Sequence, residues 1–244
     1  MCKYFGWFFI AILLLNACSN DNKIIDKYKD AKQHDLVMQA DAAFANTDLK
    51  KAAEVYSAIA NYYPGTDVAK KAQLRAMYAN AMLKNKEVVE TLAEEFLHQY
   101  PRDKESSYAY YLYSIAPLFD HSSFLQRSVD AKPELRSSDL LELSFKRLRS
   151  MKRLYPKSKY IPQVKLMLLN IKRLLSLHEV DVAEYYYKKS AYEAAVNRAM
   201  KSLEISLYKD SAKDALIIMK NSFNKLNDHK EAARVEKVMH YNGL

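Results

Sequence analysis

From residue 27 onward, apolar residues recur every three or four positions, the period of amphipathic helices. In 137–155, Leu141, Phe145, Leu148 and Met151 fall on one side, with Lys146, Arg149, Lys152 and Arg153 largely elsewhere. That is a helix with a buried stripe and a basic, solvated outer face. The same period predicts helices over 27–46, 48–63, 67–84, 87–100, 105–119, 137–155, 159–177, 179–189, 190–207, 210–226 and 228–241. Asp48 and Asp210 are expected N-caps, because a carboxylate there can accept from free first-turn N–H groups. Over 120–136 the period is lost. Asp120-His121-Ser122-Ser123 opens this insertion and Asp130-Ala131-Lys132-Pro133 closes it. A long irregular loop of this kind is expected to face a partner.

The helical pattern repeats. Tyr63-Pro64, Tyr100-Pro101 and Tyr155-Pro156 each end an amphipathic stretch and precede a polar turn. Proline cannot continue a helix, and it restricts the residue before it. The first two pairs lie 37 residues apart and the next two 55, the difference being the insertion. The tetratricopeptide repeat, a helix–turn–helix unit, has a period of about 34 residues. Counting back from Pro64, Ala40, Ala52 and Tyr56 take the small, small and aromatic positions of that unit. Before Pro156 come Ser144, Leu148 and Met151, and before Pro101 come Val89, Ala93 and Phe96. Small residues belong where two helices cross closely. The fold class is therefore all-α, an array of helix–turn–helix units.

Composition agrees and narrows the chemistry. The chain has three glycines, Gly6, Gly65 and Gly243, so no phosphate-cradling loop can be written. The six histidines are scattered and none pairs at a four-residue spacing. His178-Glu179 lacks the second histidine of a metalloprotease helix. Glu94 and Glu95 point about 100° apart on a helix and make no acid–base pair. There is no Gly-x-Ser-x-Gly elbow. No enzyme, metal or cofactor is expected. Tyrosines crowd two stretches, Tyr108, Tyr110, Tyr111 and Tyr113, then Tyr185, Tyr186 and Tyr187. Two readings stand: core filling, or a groove for an extended peptide rich in aromatic side chains.

The N-terminus assigns a compartment. A short apolar run, Tyr4 to Leu15, follows Lys3 and leads into Leu15-Asn16-Ala17-Cys18. That is the pattern of a bacterial lipoprotein signal, too short to remain as a bilayer span of roughly 20 residues. Residues 1–17 are expected to be cleaved, with Cys18 taking the lipid and 18–26 serving as a tether. Ser19, where an aspartate would retain the protein in the inner membrane, favours the outer membrane. Cys2 leaves with the signal, so no disulfide is expected in the mature chain. A net charge of +9 fits anionic lipid, an acidic neighbour or plain solubility. Export argues against nucleic acid.

Val182-Ala183-Glu184-Tyr185-Tyr186, followed by Ala195-Val196-Asn197-Arg198, resembles the BamD family, lipoproteins of the outer-membrane β-barrel assembly machine. Asp214-Ala215-Leu216 and Ala233-Arg234-Val235-Glu236-Lys237-Val238 extend the likeness, and Tyr63-Pro64, Gln73-Leu74 and Tyr78-Ala79 support it in the first half. The resemblance implies a solenoid of about five tetratricopeptide units on the periplasmic face of the outer membrane. It implies that repeats in 27–119 receive C-terminal segments of unfolded outer-membrane proteins. Repeats in 137–244 would dock the periplasmic domain of a BamA-like barrel subunit, and accessory lipoproteins as well. Arg198 matches the family's docking arginine, with Asn197 beside it. Tyr78, Tyr108 and Tyr111 are the expected groove residues by position. The alternative is another tetratricopeptide lipoprotein, one that coordinates peptidoglycan or cell-envelope processes.

Overall fold

A computed structural model describes residues 27–28, 31–121 and 138–244. The expected signal, Cys18 with the whole tether, and most of the insertion lie outside the described residues. Ten α-helices and one 3-10 turn make up the described chain, with no strand among the described residues. They fall into two compact units that divide after Phe119. The first holds α1 (Gln33–Ala45), α2 (Leu49–Tyr62), α3 (Asp67–Met82), α4 (Lys86–Gln99) and α5 (Ser106–Ile115). The 3-10 turn Ala116–His121 follows them. The second holds α6 (Asp139–Leu154), α7 (Ile161–Lys188), α8 (Tyr192–Ile205), α9 (Lys209–Lys225) and α10 (His229–Tyr241).

One turn is used four times. Thr47, Lys84, Ser190 and Asn227 all have φ of 59–60° and join α1 to α2, α3 to α4, α7 to α8 and α9 to α10. In each, the next N–H reaches five residues back: Asp48 to Ala43, Asn85 to Asn80, Ala191 to Tyr186 and Asp228 to Phe223. This is the left-handed helix cap, usually given to glycine, here made four times without it. The first two copies are 37 residues apart and so are the last two. A second turn recurs at the Tyr-Pro pairs. Tyr63, Tyr100 and Tyr155 end their helices with φ between −121° and −128° and ψ of 50–58°. Their carbonyls accept from Thr66, Asp103 and Ser158.

The core follows the repeat. Ala40, Ala52, Tyr56, Val89, Ala93, Phe96, Ser144, Leu148 and Met151, the residues found by counting back from proline, are all buried. In the first unit, one cluster lies under α1, α2 and the start of α3, and another joins α3, α4 and α5. In the second unit, Val180, Ala183, Ala199, Ala215, Leu216, Met219 and Val235 join α7 to α10. Ser176, Ser202 and Ser211 meet where α7, α8 and α9 approach, with hydroxyls 2.9 Å apart from Ser176 to each neighbour.

Three sequence expectations change. The helices predicted over 159–177 and 179–189 are one, Ile161–Lys188, 28 residues long. No glycine or proline interrupts it, and Ser176, Glu179, Val180 and Ala183 are buried straight through the predicted break. Asp210 is not a cap, because α9 starts at Lys209 after an extended Tyr208. Asp210 sits inside the first turn, where its charge favours the helix dipole. The helix predicted from 27 starts at Gln33, since Lys32 is extended (φ −71°, ψ 145°). Asp48 caps α2 as expected, accepting from Lys51 N–H at 3.2 Å, and Asp228 does the same for α10 at 3.1 Å.

Candidate functional site

In the second unit, α7 carries Glu179 inward, its side chain only 6% exposed. A carboxylate taken that far from water must be paired. Two cations one turn apart on α8 meet it. Arg198 Nη1 lies 3.1 Å from Oε2, and Lys201 Nζ lies 2.6 Å from Oε1. Their side chains remain 40% and 48% exposed. One buried negative charge thus anchors two positive ones at the surface, leaving a local excess of positive charge. Asn197, next along α8, is exposed. The arrangement holds a planar guanidinium in place while leaving part of it open to a second carboxylate, which an arginine can bind bidentately.

The first unit builds its network differently. Buried Tyr56 on α2 donates to Asp41 on α1 at 2.5 Å and accepts from Arg75 Nη1 at 3.0 Å. Arg75 also pairs directly with Asp41. Burial, and then the bond donated to Asp41, push the Tyr56 phenol above its ordinary range. One carboxylate serves one cation here, so the charges cancel. The Tyr100-Pro101 turn is pinned too. Lys70 on α3 donates to Asp103 Oδ2 at 2.8 Å, and Glu105 N–H donates to Oδ1 at 2.8 Å. The Lys70 bond, then the backbone one, hold the Asp103 carboxyl below the usual range.

Two inter-helix grooves differ in sign. The first unit has a cavity of ≈ 900 Å³ between α2, α3 and α4, with Glu54, Glu87 and Glu95 against Lys50 among mostly polar and alanine walls. The second unit has one of ≈ 780 Å³ between α6, α7 and α8, lined by Arg149, Lys152, Lys165 and Lys172 against Glu204. The three tyrosines proposed for a groove do not line the first. Tyr78 on α3 is exposed and packs its ring 5.8 Å from Phe44 of α1. Tyr108 and Tyr111 on α5 are half-buried against the α3–α4–α5 core. The second tyrosine run packs ring to ring, Tyr185 with Tyr186 at 5.7 Å and Tyr187 with Tyr192 at 5.5 Å.

Glu179 and Lys201 were missed by sequence reasoning. The legible hint was Arg198 and Lys201 stacked three residues apart on one helix face, like charges that call for a carboxylate. Among the described residues, no group of three His, Cys, Asp or Glu side chains could hold a metal ion. No helix among them is long and apolar enough to cross a membrane.

Residues 29–238 match the YfiO family, described as outer membrane lipoprotein. The chain belongs to that family. It is also similar to proteins named outer membrane protein assembly factor BamD. That of Pasteurella multocida is 22% identical over 240 residues, covering 98% of this chain and 91% of that protein. That of Haemophilus influenzae is 22% identical over 229 residues, 94% and 86% of the two chains. That of Neisseria meningitidis serogroup A is 24% identical over 234 residues, 94% and 87%. The likeness therefore spans both compact units.

Proposed function

We propose that this protein is a non-catalytic assembly factor of the outer membrane, working by protein–protein binding in the insertion of β-barrel proteins. The family and the names of its relatives support barrel assembly over the cell-wall alternative. The observation that carries the docking part is the Glu179–Arg198–Lys201 cluster, in which one buried carboxylate positions two half-open cations. An acidic partner surface completes that cluster. Arg198 and Asn197 are the contacts to the periplasmic domain of a BamA-like subunit, with accessory lipoproteins also held by the second unit. The first unit receives C-terminal segments of unfolded barrel proteins, with Tyr78, Tyr108 and Tyr111 as the residues to test first. Cys18 carries the lipid that fixes the protein to the periplasmic face of the outer membrane, and the tether raises the effective concentration of the docked partners.

Arg198→Glu tests the docking assignment. It sets a second carboxylate against buried Glu179, and co-purification of the barrel subunit from solubilised membranes is expected to disappear. Arg198→Lys, which keeps the charge but loses the planar fork, is expected to retain a reduced amount. Undiminished co-purification with Arg198→Glu, at unchanged helicity, would overturn the assignment. Cys18→Ser is expected to shift the protein from the membrane to the soluble periplasmic fraction.

A further inference from the structure

The basic outer face of α6, read from sequence as simply solvated, is one wall of the ≈ 780 Å³ groove in the second unit. Phe145, Arg149 and Lys152 line it from α6, at four- and three-residue steps that share a helix face. From α7 come Lys165, Leu168, Leu169 and Lys172, again three and four apart. Each wall thus pairs cations with apolar surface, and Leu169 is 65% exposed. Arg149 lies 5.8 Å from the Phe145 ring, its charge turned to no carboxylate among the described residues. Lys152, Lys165 and Lys172 have no ion pair or hydrogen bond among the described residues. The one acid in the lining, Glu204, does not balance four cations. None of these residues belongs to the Glu179 cluster.

We propose that this groove binds an acidic amphipathic segment of a partner protein, with leucine-like side chains on the exposed apolar floor and carboxylates on the flanking cations. Charge complementarity selects that occupant: apolar area supplies affinity, and unpaired cations on two facing walls supply sign and register. A bilayer is flat on this scale and would reach Leu169, leaving Leu175, only 8% exposed between the helices, uncovered. The chain's own insertion is no counterpart, because Arg127, Lys132 and Arg136 balance Asp120, Asp130 and Glu134. A second copy, itself at +9, is repelled.

The probe is a fluorescent leucine–glutamate peptide with leucines at helical spacing, titrated by anisotropy with the full chain in detergent. Lys165→Glu with Lys172→Glu is expected to weaken binding more than about tenfold. Lys213→Glu with Lys237→Glu makes the same change in net charge on exposed positions outside the groove, and is expected to change binding less than about twofold. Leu169→Ser removes apolar contact at constant charge and is expected to weaken binding about three- to tenfold. Circular dichroism of each variant establishes retained helicity. Equal weakening by both double variants would reduce the effect to overall charge and overturn the proposal. So would undiminished binding by the groove variants. Flotation with vesicles of phosphatidylglycerol and phosphatidylethanolamine that depended on Lys165 and Lys172, with no peptide binding, would replace the peptide by a lipid surface.

Discussion

The two units share a 37-residue period and the same left-handed turns, yet treat charge in opposite ways. In the first, Asp41 and Arg75 neutralise one another across Tyr56, and the groove between α2, α3 and α4 has more carboxylates than cations. In the second, one buried Glu179 holds two cations, and the groove between α6, α7 and α8 carries four cations against one acid. The helix-and-turn scheme places side chains at set positions, and the choice of those side chains leaves an excess of acid in the first unit's groove and an excess of cations in the second's. The fold is thus a common frame, and the two units differ in which charges are left over.

The comparison can be broken hardest at the core. Phe96→Ala empties a fully buried site between α4 and α5 and is expected to cost about 3–5 kcal/mol. Amide hydrogen exchange is expected to accelerate throughout α3–α5 while α7–α10 keep their protection. Uniform acceleration would mean that the two units unfold as one.

Next come the two carboxylates that set the contrast. Glu179→Ala strands Arg198 and Lys201 without their anion and is expected to cost about 1.5–3 kcal/mol in urea denaturation, since charged hydrogen bonds are lost from a buried position. Asp41→Ala is expected to cost less than about 1 kcal/mol, because that side chain is 45% exposed and water screens the pair. Equal costs would erase the distinction between a buried anchor and a surface pair.

A smaller change sharpens the shared turn. Ala191 occupies the position that Asp48 and Asp228 occupy elsewhere, with φ −87° and ψ 66° against −78°, 70° and −90°, 72°. It has no side chain to accept from the first turn of α8. Ala191→Asp is expected to stabilise the second unit by about 1 kcal/mol, read as a raised urea midpoint. No gain would mean that the four turns match in backbone only.

The smallest effect is in acid. Asp103 has its folded pKa depressed, chiefly by Lys70, so its contribution is fully present above the ordinary carboxyl value of 3.8. It is lost as pH falls through the folded value. Glu54, lowered first by the bond from Lys27, follows the same rule on α2. The first unit is therefore expected to lose stability below about pH 4. Asp103→Asn is expected to flatten that dependence without affecting the second unit, as measured by exchange protection across an acid series.

Much of the architecture is local in origin and so was legible. The Tyr-Pro pairs end helices because proline removes a donor and constrains its neighbour, whatever surrounds them. Counting back from each proline found buried crossing residues from Ala40 to Met151, because the repeat sets where helices approach. Asp48 was readable as a cap for the same reason, a bond made within four residues. The errors also have a local cause. His178 reads as a break only until the burial of Ser176, Glu179 and Ala183 shows α7 running through it.

The sites were less legible because their partners lie far apart in sequence. Glu179 is 19 residues from Arg198 and on another helix, so nothing in the local pattern around either names the other. The basic stripe of α6 looked solvated until α7 and α8 supplied the opposite wall. Helix period, the Tyr-Pro stops and the all-α class follow from short-range chemistry, and the sequence determined them unaided. Which carboxylate meets which cation, and which charges remain unpaired, was decided only when the helices packed, because Coulombic pairing acts through space and not along the chain.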